Sequence, residues 1–320
     1  MKTKLLNLYK SALKIRLTEE TIANRYPENK MRCPTHLSIG QEGVAASAGM
    51  ALKKNDFAVS THRGHAHYLG KGGSIKGLIS ELYGKKTGCS GGIGGSMHLC
   101  DLSCGFVGTT AIVGNSIPLG VGLGLSIQLN KTNQVSCIFF GDGSTEEGVF
   151  YESVNFAIIK NLPVIFICEN NLYSVYSPLS VRQPKDRKIY EMVSSLGMKS
   201  LSGDGNDPYQ VFLTINESLD RIRKGGGPEF LEFSTYRYRE HCGPYFDNDI
   251  GYRTEAEYLE WKIKDPVFRL ENEVKKFGLT DKEIEKIQNE VLNEIEDAFQ
   301  FAENSEFPNY KESCLVEYKK

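Results

Sequence analysis

The sequence predicts an α/β protein in which helices flank a doubly wound, mostly parallel sheet. Two observations lead to this fold class. Short apolar runs alternate with longer segments whose apolar residues recur at helical spacing, and polar clusters follow the apolar runs. After about residue 255 the composition becomes charged and helical. We therefore expect a domain over residues 1–254 and a helical C-terminal extension over residues 255–320 that packs on it.

The first residues predict a helix. Apolar residues recur at helical spacing from Leu5 to Leu17. Lys10, Lys14 and Arg16 interrupt the apolar core that a signal peptide would need. An amphipathic helix is therefore favoured over a targeting segment.

Four apolar runs predict strands, at residues 57–60, 134–140, 163–169 and 228–238. Residues 144–161, between the second and third runs, have the apolar spacing of a helix packed on a sheet. Strand, helix and strand in that order predict parallel pairing through a right-handed crossover. A glycine-rich region over residues 84–124 predicts a loop and then a small-residue helix that packs closely on a neighbour.

Composition excludes several classes of protein. The chain has 320 residues, 40% of them hydrophobic and 24% charged, as in ordinary globular proteins. A net charge of -2 predicts neither nucleic-acid nor membrane-surface binding. No apolar run reaches the roughly 20 residues of a membrane span.

Eight cysteines are scattered along the chain. Cys89, Cys100 and Cys104 leave a metal site open, but no second close pair completes a tetrahedral set. Reduced, mostly buried thiols of a cytoplasmic protein are favoured.

Polar clusters follow all four predicted strands. Ligands of open parallel sheets bind outside the carboxyl ends of the strands, so the clusters predict a binding site at that edge. The clusters are, in chain order, His62, Arg63, His65 and His67; Gly141, Asp142 and Gly143; Asn170 and Asn171; and Arg239 with His241.

Asp142 and the neighbouring Asn pair predict a metal–diphosphate site. One carboxylate and one amide oxygen, with coordination positions left open, suit Mg²⁺ that completes its shell with phosphates and water. Gly143 allows close backbone approach, and a helix that begins near Ser144 would direct its positive end at the phosphates. Gly-Asp-Gly alone is more often a turn. However, the 26 residues from Ser144 to Glu169 match one helix plus one strand, which favours the site.

These motifs resemble the thiamine diphosphate signature. From residue 40 to residue 267 the chain is similar to the alpha subunit of the decarboxylating first component of 2-oxo acid dehydrogenase complexes, of the pyruvate, branched-chain and acetoin types. The resemblance rests on the segments "HRGHAHYLGKG", "GGSMHL", "IVGNSIPLGVG", "FFGDG", "LPVIFICENNLY" and "TYRYREH". It implies the thiamine-diphosphate-binding fold, with thiamine diphosphate and Mg²⁺ as cofactors. It also implies decarboxylation of a 2-oxo acid, or acetoin cleavage, with acyl transfer to a lipoyl carrier.

The resemblance assigns roles to individual residues. Asp142, Asn171 and the backbone carbonyl of Tyr173 would bind Mg²⁺, and His65 and His241 would be the active-site histidines. The diphosphate of the cofactor would contact Gly143, Ser144, His62 and Arg63. The aminopyrimidine would contact the backbone of Ala111 and Val113. His241 would lie near the thiazolium. His36 and His98 match family positions in supporting roles, whereas His67 is expected to be structural.

A partner chain is also implied. In two-chain members the glutamate that activates the cofactor belongs to the beta subunit, so we expect an alpha2-beta2 heterotetramer that also meets a lipoyl-bearing acyltransferase. The extension after residue 255 would contact the partner. Gly114, Gly120, Gly122 and Gly124 are expected to let the partner's backbone approach. On that basis leucine at 120 or 124 would block assembly and leave the chain's own fold intact.

Departures from the family keep other functions open. Gly91 and Ile93 replace loop lysines, Arg239 and Glu240 replace His and Gly, and residues 144–148 are unusually acidic. A split transketolase-like subunit or a specialised thiamine diphosphate carboligase subunit remains an alternative, as does a non-catalytic scaffold. Cys242 and Gly251 stand where mitochondrial members have regulatory serines, so phosphorylation at those two positions is excluded.

Overall fold

The computed structural model describes residues 1–309, and six parallel strands form its main sheet. With the two strands of a separate ribbon, the described residues form eight strands. They are β1 (Phe57–Ser60), β2 (Phe106–Thr109), β3 (Ser136–Gly141), β4 (Val164–Asn170), β5 (Tyr173–Ser174), β6 (Ser177–Pro178), β7 (Lys199–Asp204) and β8 (Glu229–Ser234). The sheet order is β2-β1-β3-β4-β8-β7, and β5 and β6 form a separate antiparallel ribbon.

Helices cover both faces of the sheet. They are α1 (Lys2–Arg25), α2 (Glu42–Ala51), α3 (His65–Gly70), α4 (Ile75–Leu82), α5 (Ser116–Leu129), α6 (Gly148–Ile159), α7 (Leu179–Arg182), α8 (Ile189–Ser195), α9 (Pro208–Arg223), α10 (Glu255–Lys262), α11 (Pro266–Lys276) and α12 (Asp281–Asn304). Within residues 1–309, no helix has the length and apolarity to cross a membrane.

Successive side chains of the central strands point to opposite faces of the sheet, which creates two hydrophobic cores. Phe139 and Ile167 point to the face covered by α1, α2, α9 and α11, whereas Phe140 and Phe166 point to the face covered by α5, α6 and α8. Both faces are buried because each strand of a parallel sheet is followed by a covering helix. The predicted doubly wound α/β fold is confirmed.

The four predicted strands are present, and β2 and β7 were missed. These two are the edge strands of the sheet, where one side lacks a neighbour. β2 contains Gly108, and β7 has the mostly polar sequence "KSLSGD". An apolar-run criterion finds strands buried on both faces, so it does not detect polar edge strands.

The N-terminal and C-terminal helices pack against each other. The predicted amphipathic helix is α1, and it contacts both α11 and α12. Arg16 of α1 forms an ion pair with Asp265 at the start of α11, at 3.0 Å. A capping box between Thr280 and Glu283 begins α12, whose apolar face joins the same core as α1. Helices α11 and α12 therefore pack on α1, and the division of the chain at residue 254 stays a prediction.

The glycines of α5 correct one expectation. A Cβ at Gly120 would lie 2.3 Å from Ile138 Cγ1, and one at Gly124 would lie 2.3 Å from Val164 Cγ2. Both glycines therefore let α5 approach the chain's own sheet, so leucine at either position would disturb this chain's fold, contrary to the prediction. Only Gly122, among these helical glycines, faces open space.

Candidate active site

A cleft of about 180 Å³ lies at the carboxyl edge of the sheet, where β1, β3 and β4 end. Ten of the residues predicted to bind the cofactor or the metal line this one cleft. They are His62, Arg63, Ala111, Val113, Asp142, Gly143, Ser144, Asn171, Tyr173 and His241. Residues from well-separated parts of the chain thus converge at the edge that parallel sheets use for ligands.

The metal end of the cleft is formed by Asp142 and Asn171. Gly141 pairs with Glu169 in the β3–β4 register, so the two side chains leave the sheet side by side. The Asn171 amide donates to Gln41 Oε1 at 3.1 Å, and its Oδ1 accepts from the Tyr173 N–H at 3.2 Å. These bonds fix the side chain so that the amide oxygen, rather than the nitrogen, is available to a cation.

The residues at this end fit Mg²⁺. A carboxylate, an amide oxygen and a backbone carbonyl are hard oxygen donors of the type that Mg²⁺ takes. Asp142 is only 1% exposed, and burial raises the pKa of its carboxyl, although the adjacent Arg182 opposes the shift. This buried carboxylate already has a cationic partner in Arg182, so the fit to Mg²⁺ rests on the three oxygen donors.

The diphosphate position is a turn rather than a helix start. Residues 142–146 form a 3₁₀ turn, in which Thr145 Oγ1 donates to the Asp142 carbonyl at 2.7 Å. Helix α6 begins later, at Gly148, so the expectation that it starts near Ser144 was wrong. A Cβ at Gly143 would lie 2.7 Å from Ser174 Oγ, so a side chain would fill the cradle at this point.

Three histidine rings meet at the opposite end of the cleft. The ring centroids of His36, His62 and His241 lie 4.8–5.3 Å apart. Burial, and then the Arg63 charge, lowers the pKa of these groups to about 2, 4 and 3, respectively. The three imidazoles are therefore neutral near pH 7. His36 Nδ1 is buried without a protein partner, which leaves it available to a ligand.

Arg63 holds His241 in place. Its guanidinium donates to the carbonyls of Leu37 at 2.7 Å and His241 at 3.0 Å, and it lies 3.3 Å from His241 Nδ1. Because that ring nitrogen faces a donor, the proton of the neutral ring belongs on Nε2. Burial lowers the pKa of Arg63 to about 9. The arrangement gives His241 a fixed ring orientation and one N–H that can serve a reaction.

Comparison with known proteins identifies the family. The family model described as "Dehydrogenase E1 component" matches residues 9–311. The chain belongs to this family. It is 35% identical, over 99% of its length and 95% of the relative's, to the alpha subunit of acetoin:2,6-dichlorophenolindophenol oxidoreductase of Bacillus subtilis. It is 33% identical, over 98% and 95%, to the pyruvate dehydrogenase E1 component subunit alpha of Rickettsia bellii.

A plant relative matches in the same way. The chloroplastic pyruvate dehydrogenase E1 component subunit alpha-3 of Arabidopsis thaliana is 34% identical over 95% of this chain and 72% of its own length. The predicted family and the predicted class of enzyme subunit are thereby confirmed, because family and relatives agree over nearly the whole chain.

In this E1 chain His65 lies outside the cleft. The side chain is fully buried, its Nδ1 is 2.6 Å from Glu19 Oε1, and its Nε2 is 2.8 Å from Ser96 Oγ. Both ring nitrogens thus have partners within the protein. Met97, which follows Ser96, lines the cleft, so the contacts of His65 place it behind the wall of the site. The structure does not bring this predicted catalytic residue together with His241.

The other two histidines also lie apart from the cleft. His67 stacks on Phe139 at 4.0 Å, and it lies 2.8 Å from Ser60 Oγ and 3.0 Å from Glu169 Oε2. These contacts connect the ends of three strands, which agrees with the structural role expected for His67. His98 is exposed, and its ring contacts the Gly94 carbonyl.

Sequence reasoning missed two residues that contact the proposed metal ligands. Gln41 lines the cleft and orients Asn171, and it lies within a segment that resembles the family, so that segment carried the signal. Arg182 forms an ion pair with Asp142, but it lies in a polar stretch after β6 that no motif covers. Nothing in the local pattern marks it.

The departures from the family have local roles. Glu146, within the acidic segment, accepts hydrogen bonds from Arg182 and Gln183. Arg239 donates to the Pro244 carbonyl and stacks on Phe246, and Glu240 accepts from the Tyr245 N–H. Arg239 and Glu240 therefore stabilise the loop after His241 instead of lining the cleft.

Burial disfavours the reactive thiolate at three of the described cysteines. Burial raises the pKa of Cys89 to about 12 and also raises the pKa values of Cys100 and Cys104. Protonated thiols are poor metal ligands and poor nucleophiles. The interpretation as reduced thiols is thus favoured for these three.

Proposed function

We propose that the chain is the alpha subunit of a thiamine-diphosphate- and Mg²⁺-dependent dehydrogenase E1 component. Its reaction is the decarboxylation of a 2-oxo acid, or the cleavage of acetoin, with acyl transfer to a lipoyl carrier. The observation that supports this most is that Asp142, Asn171 and His241 all line one cleft. Oxygen ligands for a cation and a neutral acid–base group then face one small molecule.

The metal end would hold the cofactor. Asp142, the Asn171 amide oxygen and the Tyr173 carbonyl would bind Mg²⁺, while Gly143 and Ser144 contact the diphosphate. Ala111 and Val113 line another side of the cleft and would contact the aminopyrimidine. Bound thiamine diphosphate supplies the electron sink that decarboxylation requires.

The histidine end would manage protons and the substrate. His241, held by Arg63, carries an Nε2–H that can donate a hydrogen bond to a substrate oxygen. Its lowered pKa keeps the ring neutral at working pH, so it serves there as a hydrogen-bonding group and only as a weak base. His36 and His62 add neutral polar groups beside it and do not bring a net charge.

A beta subunit would complete the site. Ile112 and Val113, beside the aminopyrimidine position, are exposed on this chain. A groove of about 270 Å³ between β2 and α5 is lined by apolar residues together with Gly122, and Leu119 is exposed on its rim. A partner that covers this groove also reaches the cleft. An alpha2-beta2 heterotetramer is the assembly proposed, with a lipoyl-bearing acyltransferase as the acceptor.

Cofactor binding tests the site. Calorimetry of thiamine diphosphate binding is expected to show affinity with Mg²⁺ and none in EDTA, and Asp142→Ala is expected to abolish binding because the cation loses its carboxylate. Equal affinity in EDTA would contradict the proposal. Turnover of the assembled enzyme should then appear with a 2-oxo acid or acetoin and reduce lipoamide. Transfer to a sugar phosphate instead would indicate the transketolase-like alternative.

Two glycine variants test the partner surface. Gly122→Leu should leave the free energy of unfolding of this chain nearly unchanged and prevent assembly, as measured by light scattering. Gly120→Leu should destabilise the chain itself, by about 1–3 kcal/mol or more, because its side chain meets Ile138. Normal assembly of the Gly122 variant, or robust decarboxylation by the chain alone, would refute this surface as the partner site.

A further inference from the structure

Arg182 is the cation that lies on the proposed metal ligand. Its guanidinium donates through Nη2 to Asp142 Oδ2 and through Nη1 to Glu146 Oε1, and Nε donates to the Ser177 carbonyl at 3.0 Å. The side chain of Arg182 is 10% exposed, and that of Asp142 is 1% exposed. The ion pair is therefore buried, where a charge contact has a much larger effect than at the surface.

Glu146 fixes Arg182 in this position. The carboxylate accepts from both Arg182 and the neighbouring Gln183, whose amide also reaches Thr145 Oγ1 at 3.4 Å. Glu146 belongs to the turn that follows Asp142, so metal ligand and anchor are parts of one rigid unit. The acidic segment that departs from the family and the arginine that no motif covers thus contact each other.

The segment that carries Arg182 has a constrained backbone. It leaves β4, forms the β5–β6 ribbon and ends before α8. Leu172, Val175 and Asp186 within it have φ values of 72°, 56° and 67°, in the left-handed region that residues other than glycine seldom adopt. Backbone of this kind is found where the surrounding contacts impose a conformation. Within the segment the Leu179 N–H donates to the Leu172 carbonyl at 2.7 Å, and Arg182 Nε donates to the Ser177 carbonyl.

Arg182 and a divalent cation compete for the same carboxylate. A guanidinium on Oδ2 of Asp142 and Mg²⁺ on the same group would repel each other across a few ångströms in a buried site. Arg182 also reduces the negative charge that draws a cation to Asp142. Every cation that binds Asp142 must therefore offset the loss or weakening of the Arg182 contact.

We propose that Arg182 is a competing internal cation of the magnesium site, which lowers the apparent Mg²⁺ affinity and must leave Asp142 Oδ2 for the metal to bind fully. This inference rests on the proposed role of Asp142 as a Mg²⁺ ligand. It makes the segment from Leu172 to Arg187 responsive to the cofactor, because Arg182 connects the two. Mg²⁺ and thiamine diphosphate then determine the position of that segment.

The test compares Arg182→Gln with the wild type and with Arg187→Gln, in which an exposed arginine of the same segment is changed. The full chain in its purified assembly is titrated with Mg²⁺ at a fixed thiamine diphosphate concentration, and the heat of binding is recorded. The half-saturating Mg²⁺ concentration should fall about tenfold in Arg182→Gln, since a charged hydrogen bond no longer competes. It should not change in Arg187→Gln. An unchanged or higher value in Arg182→Gln overturns the proposal.

Two further measurements separate the possible failures. Thermal unfolding should show a lower melting temperature for Arg182→Gln without Mg²⁺ and a larger rise on Mg²⁺ addition than in the wild type. Arg182→Lys keeps the positive charge but not the two-pronged guanidinium. Its rise in melting temperature on Mg²⁺ addition should lie between those of the wild type and Arg182→Gln. It replaces Arg182→Gln in the test if the glutamine variant does not fold. If Asp142→Asn still binds Mg²⁺ normally, the proposed metal site itself is wrong. If that variant loses Mg²⁺ but Arg182→Gln gains no affinity, only the role of Arg182 is wrong.

Discussion

The two ends of the cleft are built in different ways. The metal end comes from one contiguous β3–α6–β4 unit, whose neighbouring strands deliver Asp142 and Asn171 to adjacent positions. The histidine end brings His241 together with His36 and His62, which lie far earlier in the chain. One end is specified by local spacing and the other by the complete tertiary fold. Changes at the first should affect cofactor affinity, and changes at the second should affect turnover.

The largest effect expected at the histidine end is on turnover. His241→Ala should lower kcat of the assembled enzyme by about 10²–10⁴, the range typical of a lost acid–base group. The dissociation constant of thiamine diphosphate should change little, because His241 lies away from the metal ligands. Steady-state kinetics and calorimetry of the same preparation check both parts. Near wild-type kcat would make His241 structural.

The metal end should show the opposite behaviour. Asn171→Leu removes the amide oxygen from the metal position and should weaken Mg²⁺-dependent thiamine diphosphate binding about 100-fold. When Mg²⁺ and thiamine diphosphate are saturating, kcat of Asn171→Leu should be closer to the wild-type value than kcat of His241→Ala. Calorimetry at a series of Mg²⁺ concentrations measures the change. A variant that binds normally but turns over slowly would erase the proposed difference between the two ends.

His65 provides a control histidine behind the site. His65→Leu leaves the buried Glu19 carboxylate without its imidazole partner, so the free energy of unfolding should fall by about 1–3 kcal/mol. Urea unfolding measures this loss, and His98→Leu, at an exposed ring, should show almost none. A fall in kcat equal to that of His241→Ala, with stability unchanged, would restore the catalytic role that the sequence predicted.

The smallest effect is a pH dependence of stability. The pKa values of His36, His62 and His241 lie below that of a free histidine, so the unfolded chain takes up protons that the folded chain refuses. Stability is therefore complete above about pH 6.5 and is lost as the pH falls toward 4. Compared with the wild type, His62→Gln should reduce the slope between pH 4.5 and 6 by about one proton. An unchanged slope in urea unfolding would mean that His62 titrates normally.

The same contrast explains what the sequence could and could not predict. The central strands and the Asp142–Asn171 pair follow from apolar runs and from the spacing between them. At the histidine end, the strand-end rule placed His62 and His241 at one edge of the sheet, but their roles, and His36, needed a resemblance to a family. Of the edge strands, β7 was missed because it is mostly polar, and β2 because it is a run of four residues that contains Gly108.

The wrong prediction about the glycines of α5 has a geometric cause. Gly120 and Gly124 are four residues apart, which places them on one face of α5, while Gly122 lies on the other. Small residues indicate that a close approach occurs, but not which neighbour makes it. Here the neighbour on the first face is the chain's own sheet. Arg182 was missed for a related reason, because its importance lies in a contact with Asp142 across forty positions of sequence.

The packing of α1 on α11 and α12 has a consequence for biosynthesis. The ribosome makes α1 before these two helices, so the apolar face with Leu5, Leu8 and Leu13 lacks their cover until they emerge. A nascent chain in that condition exposes the surface that chaperones bind and that leads to aggregation. Loss of the last helices, through a premature stop codon, would leave that surface open permanently. Such a product should be degraded or precipitate, although every residue of the cleft would still be encoded.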